Sequence, residues 1–507
     1  MNPRFRSCLV YCLFLVCTCA AFGEVRLPKL LSDHAVLQRK APIHIWGWAA
    51  PGEQIVVTLH AQKQTASTDE LGKWSVYLMP EDAGGPYQMT IAGTNTVTLS
   101  DVLIGDVWVA SGQSNMEMPL NGFPGSAVVK NAAAEIAHAD APQLRLLRIA
   151  HRSSEYPLRD VDAPWTTCTP QTAAEFSAVA YFFGREVQKH EHVPIGLIDA
   201  TWGGTPAEAW TSLDALSADS SLMPVFKARA EIVDMQAESA AILEKEKRED
   251  AAARSANQPP PKHHWHPDPE SWRPSGLFNG MISPEVDLSI KGVIWYQGEA
   301  NTDAARAPMY NKVFSTLIAD WRAKWQQGNF PFLFVQLSSF NADPDENWGM
   351  LRDAQRRTLD VANTAMAVSL DVGDPDNVHP ADKQTVGKRL ALAARAIAYG
   401  DAIEYSGPLF RQVTPEGASL RVWFDHAADG LMATSGALQG FEIAGEDHRF
   451  VPAVAQIDGQ TVVLSSPAVK APKYARYGWA NAPLANLANK LGLPAGTFTS
   501  EDPNFEP

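Results

Sequence analysis

Short runs of alternating apolar and polar residues open the chain, from Val25 to about residue 100. Their two-residue period is that of half-buried β-strands, and turns rich in glycine and proline separate them. The runs are Ile43–Trp48, Gln54–Leu59, Trp74–Leu78 and Tyr87–Ile91. The pattern predicts a small β-sandwich domain over residues 24–100.

A different pattern follows over residues 101–400, where continuous apolar runs alternate with stretches of helical period. Such runs indicate strands buried on both faces of a parallel sheet, with helices in between. We expect strands over 102–110, 195–200, 292–296, 332–337 and 365–370, and helices over 172–191, 308–325 and 381–399. The predicted fold class is α/β, a flavodoxin-like domain with helices on both faces of a parallel sheet.

An insertion over about 214–275 interrupts this domain. Its first half, around Glu231–Arg254, predicts a charged amphipathic helix, and its second half is a proline-rich loop. His263, His264 and His266 in that loop are a weak metal signal, because no distant histidine or acidic residue is matched with them. We therefore expect no dedicated metal site.

Strand-like alternation returns over residues 401–472, for example in 420–424 and 461–465. It predicts a second β-rich accessory module with sandwich character. The tail, residues 473–507, is rich in Asn, Pro and Leu, and we expect it to pack back on the core.

The first 23 residues differ in kind from the rest of the chain. Arg4 and Arg6 precede the apolar run Cys8–Phe22, which is too short for a stable membrane span. This is the pattern of a secretory signal peptide over residues 1–23, so we expect a secreted or periplasmic protein without a membrane span.

Composition excludes some kinds of partner. The formal net charge of −15 argues against nucleic acid or an anionic membrane surface as a partner. Removal of the signal would leave Cys168 as the one cysteine, which excludes an intramolecular disulfide and favours a small core residue over a nucleophile. The sequence does not determine the oligomeric state.

The segment Ser111–Glu117 contains the first candidate for chemistry, Ser114. It follows the apolar run 102–110, and ligand sites in open α/β sheets lie beyond the carboxyl ends of the strands. A serine in that turn is either a nucleophile or a cap of the next helix.

A serine nucleophile needs a base, and His379 in Asp376–Pro380 is the best candidate. Its loop also follows an apolar strand, and Asp376, three residues earlier, is placed to orient the ring. Asp371 and Asp374 are alternatives for that role, and a plain surface loop is the alternative for the whole segment.

Acyl transfer also needs hydrogen-bond donors for the developing oxyanion. Gly203 and Gly204 follow the strand that ends at Ala200, and glycine allows close approach of a backbone N–H. Gln297 and Asn301 offer side-chain carboxamides after another strand. The alternatives are an ordinary glycine turn at the first place and a helix-entry turn capped by Asn301 or Thr302 at the second. Four strand ends that each supply one part nevertheless favour a single site.

Four motifs together resemble those of the SGNH hydrolase superfamily, and most closely its sialate O-acetylesterase branch, whose members remove acetyl groups from sugar hydroxyls. They are Gly112–Met116, Trp202–Gly204, Trp295–Glu299 and Asp376–His379. The segments Val36–Arg39, Leu277–Met281 and Arg476–Asn481 are also typical of that branch.

The resemblance implies Ser114 as nucleophile, His379 as general base and Asp376 as orienting acid, although some relatives use a serine–histidine pair. It implies an oxyanion hole from the backbone N–H groups of Ser114 and of Gly203 or Gly204, with the Gln297 carboxamide, or Asn301 in its place. It implies no metal or organic cofactor. We expect turnover to fall in acid, as His379 protonates near its ordinary pKa.

Aromatic residues beside these motifs are candidate platforms for a sugar ring, or else core residues. The predicted substrate-binding residues are Trp202, Trp295, Tyr296 and Glu299. The hypothesis is a secreted carbohydrate O-acetylesterase acting on acetylated sialic acid or on an acetylated hemicellulose such as xylan or xyloglucan. The alternatives are a glycan-binding protein with an inert hydrolase domain, and a lipase- or peptidase-like SGNH hydrolase.

Overall fold

The computed structural model describes residues 23–502, except 257, 260, 262, 264, 265 and 267, and describes 228–238 by their backbone alone. The predicted signal peptide, apart from Gly23, lies outside the described residues, and so does His264. Within the described part, no helix has the length and apolar character needed to cross a bilayer.

Seven strands form the N-terminal part of the chain. They are β1 (Val36–Gln38), β2 (Ile43–Trp48), β3 (Gln54–Leu59), β4 (Gln62–Ser67), β5 (Lys73–Leu78), β6 (Gly84–Ala92) and β7 (Thr96–Gly112). Strands β2 and β5 form one small antiparallel sheet, whereas β3, β4 and β6 join β7 in another.

Helices and strands follow β7, and all of these strands except β9 are parallel to β7. In chain order they are α1 (Ser114–Glu117), α2 (Ala132–Ala137), β8 (Ala141–Arg148), β9 (Thr166–Cys168), α3 (Pro170–Ala174), α4 (Ala178–Glu191), β10 (Ile195–Thr201), α5 (Leu213–Ser217), α6 (Pro224–Ser255), β11 (Gly292–Tyr296), α7 (Tyr310–Trp325), β12 (Phe332–Gln336), α8 (Trp348–Arg357), β13 (Thr364–Val368) and α9 (Lys383–Ile397). Short 3₁₀ segments lie at Ala207–Trp210, Ser220–Leu222, Ser283–Glu285, Glu299–Asn301, Ala307–Met309, Thr358–Asp360 and Leu370–Val372, and a π-helical turn lies at Phe278–Ile282.

The last part of the chain returns to strands. They are β14 (Leu409–Glu416), β15 (Ser419–Asp425), β16 (Leu431–Ala433), β17 (Phe441–Ala444), β18 (Val451–Pro452), β19 (Val454–Asp458), β20 (Thr461–Ser465), β21 (Tyr474–Tyr477), β22 (Leu487–Asn489) and β23 (Phe498–Thr499). They pair in small antiparallel sheets around a hydrophobic core of their own.

The predicted flavodoxin-like sheet is confirmed. The five strands expected from the sequence lie in the spatial order β10-β7-β11-β12-β13, all parallel, so the chain order reverses beside β7. Strand β8 extends the sheet beyond β10, and β9 adds an antiparallel edge. Ligands bind at such a point of reversal, beyond the carboxyl ends of the strands, which here means the residues after β7.

Three details differ from the sequence prediction. The helix expected over 172–191 is two helices, because Ser177 leaves the helical conformation and caps α4 by accepting the N–H of Ala180. Strand β7 runs without a break across the predicted boundary at 100/101, and the N-terminal sheets share one core with the α/β part. The predicted tail contributes β21, β22 and β23 to the C-terminal sheets.

Cys168 is buried in the core, and the described insertion histidines contact acidic residues of α6. Cys168 is a buried core residue, as predicted, and burial raises the pKa of its thiol to about 12. His263 contacts Asp250 and His266 contacts Glu246, both on α6, at 2.9 and 3.1 Å. Among the described residues, no group of three or more His, Cys, Asp and Glu side chains is arranged to hold a metal ion.

A buried arginine joins the C-terminal segment to the α/β domain. Arg352 on α8 is fully buried, and burial lowers the pKa of its guanidinium to about 9. The guanidinium donates hydrogen bonds to the Thr497 hydroxyl and to the carbonyl oxygens of Ser338, Gly478, Ala480 and Asn481. Backbone groups of the tail are thereby satisfied inside the protein.

We predict that Arg352→Met lowers the free energy of unfolding by about 3 kcal/mol, because several buried carbonyl groups lose their donor. Urea denaturation measures the change. Arg449→Met, at an exposed position of the C-terminal segment, is the control and should change stability by less than about 0.5 kcal/mol. Equal stability of the two variants would contradict the anchoring role of Arg352.

Candidate active site

The turn after β7 is built around Gly112 and Gln113. Gly112 has φ +130°, and a Cβ there would lie 2.1 Å from the carbonyl oxygen of Tyr296, so the position requires glycine. The Gln113 side-chain oxygen accepts hydrogen bonds from the backbone N–H groups of Gly298 and Ala300, at 3.3 and 3.1 Å. The Gln113 side chain thus links the serine turn to the turn after β11 by hydrogen bonds.

Ser114 is the first residue of α1, and the N-cap residue is Gln113, which makes no side-chain capping bond. The helix-capping alternative for Ser114 is therefore wrong. Its side chain is partly exposed, and its hydroxyl has no hydrogen-bond partner among the described residues. Ser114 Oγ is available to a substrate.

The side chain of Asn115 links the serine turn to two other segments. Its Nδ2 donates to Glu299 Oε1 at 2.6 Å and to the carbonyl oxygen of Val378 at 2.9 Å. Its Oδ1 accepts a hydrogen bond from Lys383 Nζ. Because Val378 immediately precedes His379, Asn115 holds the histidine loop against the serine turn.

The glycine turn after β10 lies directly beside Ser114. A Cβ built on Gly203 would be 3.2 Å from the Ser114 Cβ. The Gly203 N–H, however, donates to Glu117 Oε2 at 2.6 Å, whereas the described hydrogen bonds include none from the N–H groups of Ser114 or Gly204. Of the predicted backbone oxyanion donors, the N–H groups of Ser114 and Gly204 therefore have no acceptor within the part of the chain that the structure describes.

Glu117 is a buried acid that sequence reasoning missed. Its Oε1 lies 3.0 Å from His151 Nε2 and 3.7 Å from Arg148 Nη2, opposite the oxygen that binds Gly203. It lies three residues after Ser114, within one helical turn. That spacing was a signal that it shares the serine's edge of the sheet.

The end of the insertion supports the same turn. Trp272 Nε1 donates to the carbonyl oxygen of Gly204, and the Arg306 guanidinium lies 4.5 Å above the Trp272 ring. The proline-rich segment therefore returns to the glycine turn and helps to hold its conformation.

The ring of His379 is largely enclosed and makes no hydrogen bond with any described residue. Its Nε2 is buried without a partner, and Phe123 packs edge-on against the ring with centroids 5.2 Å apart. Burial chiefly lowers its pKa, to about 4, and the positive charge of Lys383 acts in the same direction while Glu117 opposes it. The imidazole is therefore neutral at pH 7, the state that a general base requires.

The structure does not place any of the three candidate aspartates on His379. Asp376 is exposed and its carboxylate has no hydrogen bond within the described residues, Asp374 accepts the backbone N–H of Asp376, and Asp371 pairs with Arg389. The prediction that Asp376 orients the ring is corrected, because the turn directs that carboxylate to solvent. Packing by Phe123 and the Asn115 link to Val378 hold the loop instead.

Gln297 and Asn301 are also corrected as oxyanion donors. Both side chains are fully buried behind the turn, and Gln297 Nε2 donates to Asn301 Oδ1 at 2.7 Å and to the Thr205 carbonyl oxygen at 3.1 Å. Asn301 Nδ2 donates to Glu208 at 2.9 Å. Their amide groups brace the turn from within and are not available to a substrate.

Of the four predicted substrate contacts, the structure contradicts those of Trp295 and Tyr296, and those of Glu299 and Trp202 stay predictions. Trp295 and Tyr296 are 0% exposed core residues, so the structure corrects the prediction that they contact a sugar. Glu299 binds Asn115, and burial raises the pKa of its carboxyl. Trp202 is partly exposed and stacks on His151, with centroids 4.5 Å apart and planes at 6°; its contact with a sugar stays a prediction.

Comparison with known proteins assigns this chain to a family. A family model described as carbohydrate esterase, sialic acid-specific acetylesterase, matches residues 267–396, which include the His379 loop. The sialate O-acetylesterase of Mus musculus is 32% identical over 511 residues, covering 90% of each chain, and that of Rattus norvegicus is 32% identical over 531 residues, covering 94% of each. The chain belongs to the sialate O-acetylesterase family.

A solved structure agrees with this assignment. A carbohydrate acetylesterase from Xanthomonas citri superposes with a TM-score of 0.80 at 37% identity, over 94% of this chain and 100% of that one. Our chain is accordingly a carbohydrate esterase, that is, a carboxylic-ester hydrolase, and the resemblance inferred from its motifs is confirmed.

Because burial and Lys383 hold the pKa of His379 at about 4, we predict that kcat/KM of this esterase stays level from pH 7 to about pH 5. It should fall about tenfold per pH unit only below about pH 4. This corrects the expectation of a fall near the ordinary pKa of histidine. Circular dichroism at each pH, and recovery of activity on return to pH 7, control for unfolding. An acid limb centred between pH 6 and 7 would contradict the buried neutral imidazole.

Proposed function

We propose that this esterase removes acetyl groups from sugar hydroxyls by acyl transfer through Ser114. The observation that carries the proposal is the joint arrangement of an unbonded serine hydroxyl, a glycine turn beside it and the neutral ring of His379 on a loop tied to Asn115. Nucleophile, oxyanion donors and base are the parts that acyl transfer requires.

In the proposed first step, Ser114 Oγ attacks the acetyl carbonyl carbon while His379 accepts the hydroxyl proton. The tetrahedral intermediate collapses when the bond to the sugar oxygen breaks, and His379 donates the proton to that oxygen. Water, deprotonated by His379, then attacks the acetyl carbon of the acetyl-enzyme. The bond to Ser114 Oγ breaks, His379 returns the proton to that oxygen, and acetate is released. No step of this sequence requires a metal ion or an organic cofactor.

The backbone N–H groups of Ser114 and Gly204 are the proposed donors to the oxyanion, because neither has an acceptor among the described residues. The N–H of Gly203 can join them if the carboxylate of Glu117 moves away. Glu117 Oε1 already lies 3.0 Å from His151, so a shift toward that ring would keep the carboxylate paired.

An acetylated sugar is the proposed substrate class for two reasons. The stacked rings of Trp202 and His151 lie beside the glycine turn and give a partly exposed flat surface, the kind on which sugar rings pack. The relatives named above are sialate O-acetylesterases and a carbohydrate acetylesterase. Acetylated sialic acid and acetylated xylan or xyloglucan are the two substrate groups to compare.

We predict that Ser114→Ala and His379→Ala each lower acetate release by about 10³-fold or more. Asp376→Ala should stay within about threefold of the wild type, because its carboxylate does not contact the ring. Acetate release from acetylated sialic acid, acetylated xylan and xyloglucan oligosaccharides measures these changes. If Ser114→Ala leaves all three rates unchanged, the proposed chemistry is wrong.

A preference for long acyl chains or amides would favour the lipase or peptidase alternative.

We also propose that the protein is exported. Support comes from the charged and apolar pattern of residues 1–23. Amino-terminal sequencing of protein recovered outside the cytoplasm of a bacterial host should begin at Glu24. Recovery of protein only inside the cells, with Met1 or Asn2 at its amino terminus, would contradict export.

A further inference from the structure

Lys383 is a fully buried cation next to the proposed catalytic groups. It is the first residue of α9 and is 0% exposed, and the one described hydrogen bond of its ammonium goes to Asn115 Oδ1. No carboxylate of the described residues lies within ion-pair distance of its ammonium, which faces the Tyr296 ring at 5.7 Å from the centroid. A buried ammonium held by an amide oxygen and an aromatic face is costly for folding.

The bond from Lys383 decides what Asn115 can do. An amide side chain can rotate so that its oxygen and nitrogen exchange places. With Oδ1 bound to an ammonium, which only donates, Nδ2 faces Glu299 and the Val378 carbonyl oxygen, and that carbonyl oxygen can only accept. Lys383 thus fixes the orientation of the Asn115 amide in which Nδ2 donates to the histidine loop.

The same ammonium acts on the histidine ring through its charge. The charged groups that face His379 are Lys383 from α9 and Glu117 from α1, and Phe123 packs on the ring. Glu299 attracts Lys383 from the turn after β11, and Glu346 acts in turn on Glu299. Burial lowers the pKa of Lys383 to about 7, so the ammonium is charged throughout the acidic range in which His379 titrates.

We propose that Lys383 is a positioning residue for the Ser114–His379 pair, whose ammonium orients Asn115 and whose positive charge keeps the imidazole free to accept a proton. The inference rests on the proposed function, because it assigns the role through the base of that reaction. It predicts two separable effects, one on the rate at neutral pH and one on the pH at which His379 protonates.

Three substitutions separate the effects. Lys383→Met removes both the donor and the charge, Lys383→Gln keeps an N–H donor without charge, and Lys383→Arg keeps both. Lys388→Met, at an exposed position of the same helix, is the matched control. Far-UV circular dichroism and thermal melts establish that each variant is folded, and Lys383→Gln keeps the test decisive if Lys383→Met does not fold.

We predict that Lys383→Met lowers kcat about 10- to 100-fold at pH 7, through loss of positioning. We also expect it to move the acid limb of kcat/KM upward by about one pH unit or more, because a neighbouring positive charge is lost. Lys383→Gln should show the same upward movement with a smaller loss of kcat. Lys383→Arg should return the limb toward the wild type, and Lys388→Met should change neither quantity.

A direct titration makes the test independent of turnover. Proteins with ¹³C-labelled histidine in the Ser114→Ala background, with and without Lys383→Met, report the protonation of His379 by NMR, and loss of its signal in His379→Asn identifies it. An upward shift of the His379 titration on loss of Lys383 supports the inference. An unchanged titration and acid limb would overturn it, even if kcat falls. If the wild type releases no acetate from any acetylated sugar, the proposed function fails, while the NMR titration still decides the role of Lys383.

Discussion

The site depends on two amide side chains, Gln113 and Asn115, on either side of Ser114. Parallel strands bring their carboxyl ends to one edge of a sheet, and hydrogen bonds between the turns that follow fix how those turns lie relative to one another. Gln113 accepts two backbone N–H groups of the turn after β11, and Asn115 donates to the carbonyl oxygen next to His379. The bond from Gly298 is buried and the other two are partly buried, so the loss of a partner at any of them would lower stability. They set the position of the proposed base relative to the proposed nucleophile.

Electrostatics at this edge keeps the histidine neutral without a carboxylate bonded to it. His379 is enclosed by Phe123 and lies near a buried lysine, and both burial and charge disfavour its protonated form. The acids nearby have other partners, since Glu299 binds Asn115 and Glu117 binds the Gly203 N–H. This arrangement suits the proposed serine–histidine pair, because packing by Phe123 and the hydrogen bonds of Asn115 hold the histidine loop.

Sequence reasoning succeeded where a property repeats along the chain and failed where it depends on the direction of one side chain. The apolar runs identified all five central strands, and the motifs identified the family; the roles of Ser114 and the glycine turn stay predictions. Four other candidates also follow or end a strand, yet their side chains are buried in the core: Gln297, Asn301, Trp295 and Tyr296. Asp376 was chosen by its spacing from His379, but its turn carries the carboxylate outward. Gln113, Asn115, Glu117 and Lys383 were missed because their partners lie far away in sequence.

The sequence by itself therefore determined the parallel sheet, the serine at the end of its central strand and the membership in an esterase family, because local periodicity and short motifs carry that information. Only the tertiary structure decided which polar groups at the strand ends face the serine and which brace the turns. The physical reason is that each buried donor or acceptor must find a partner, and here the partners lie on different strand ends, from 86 residues away for Glu117 and Gly203 to 268 for Asn115 and Lys383.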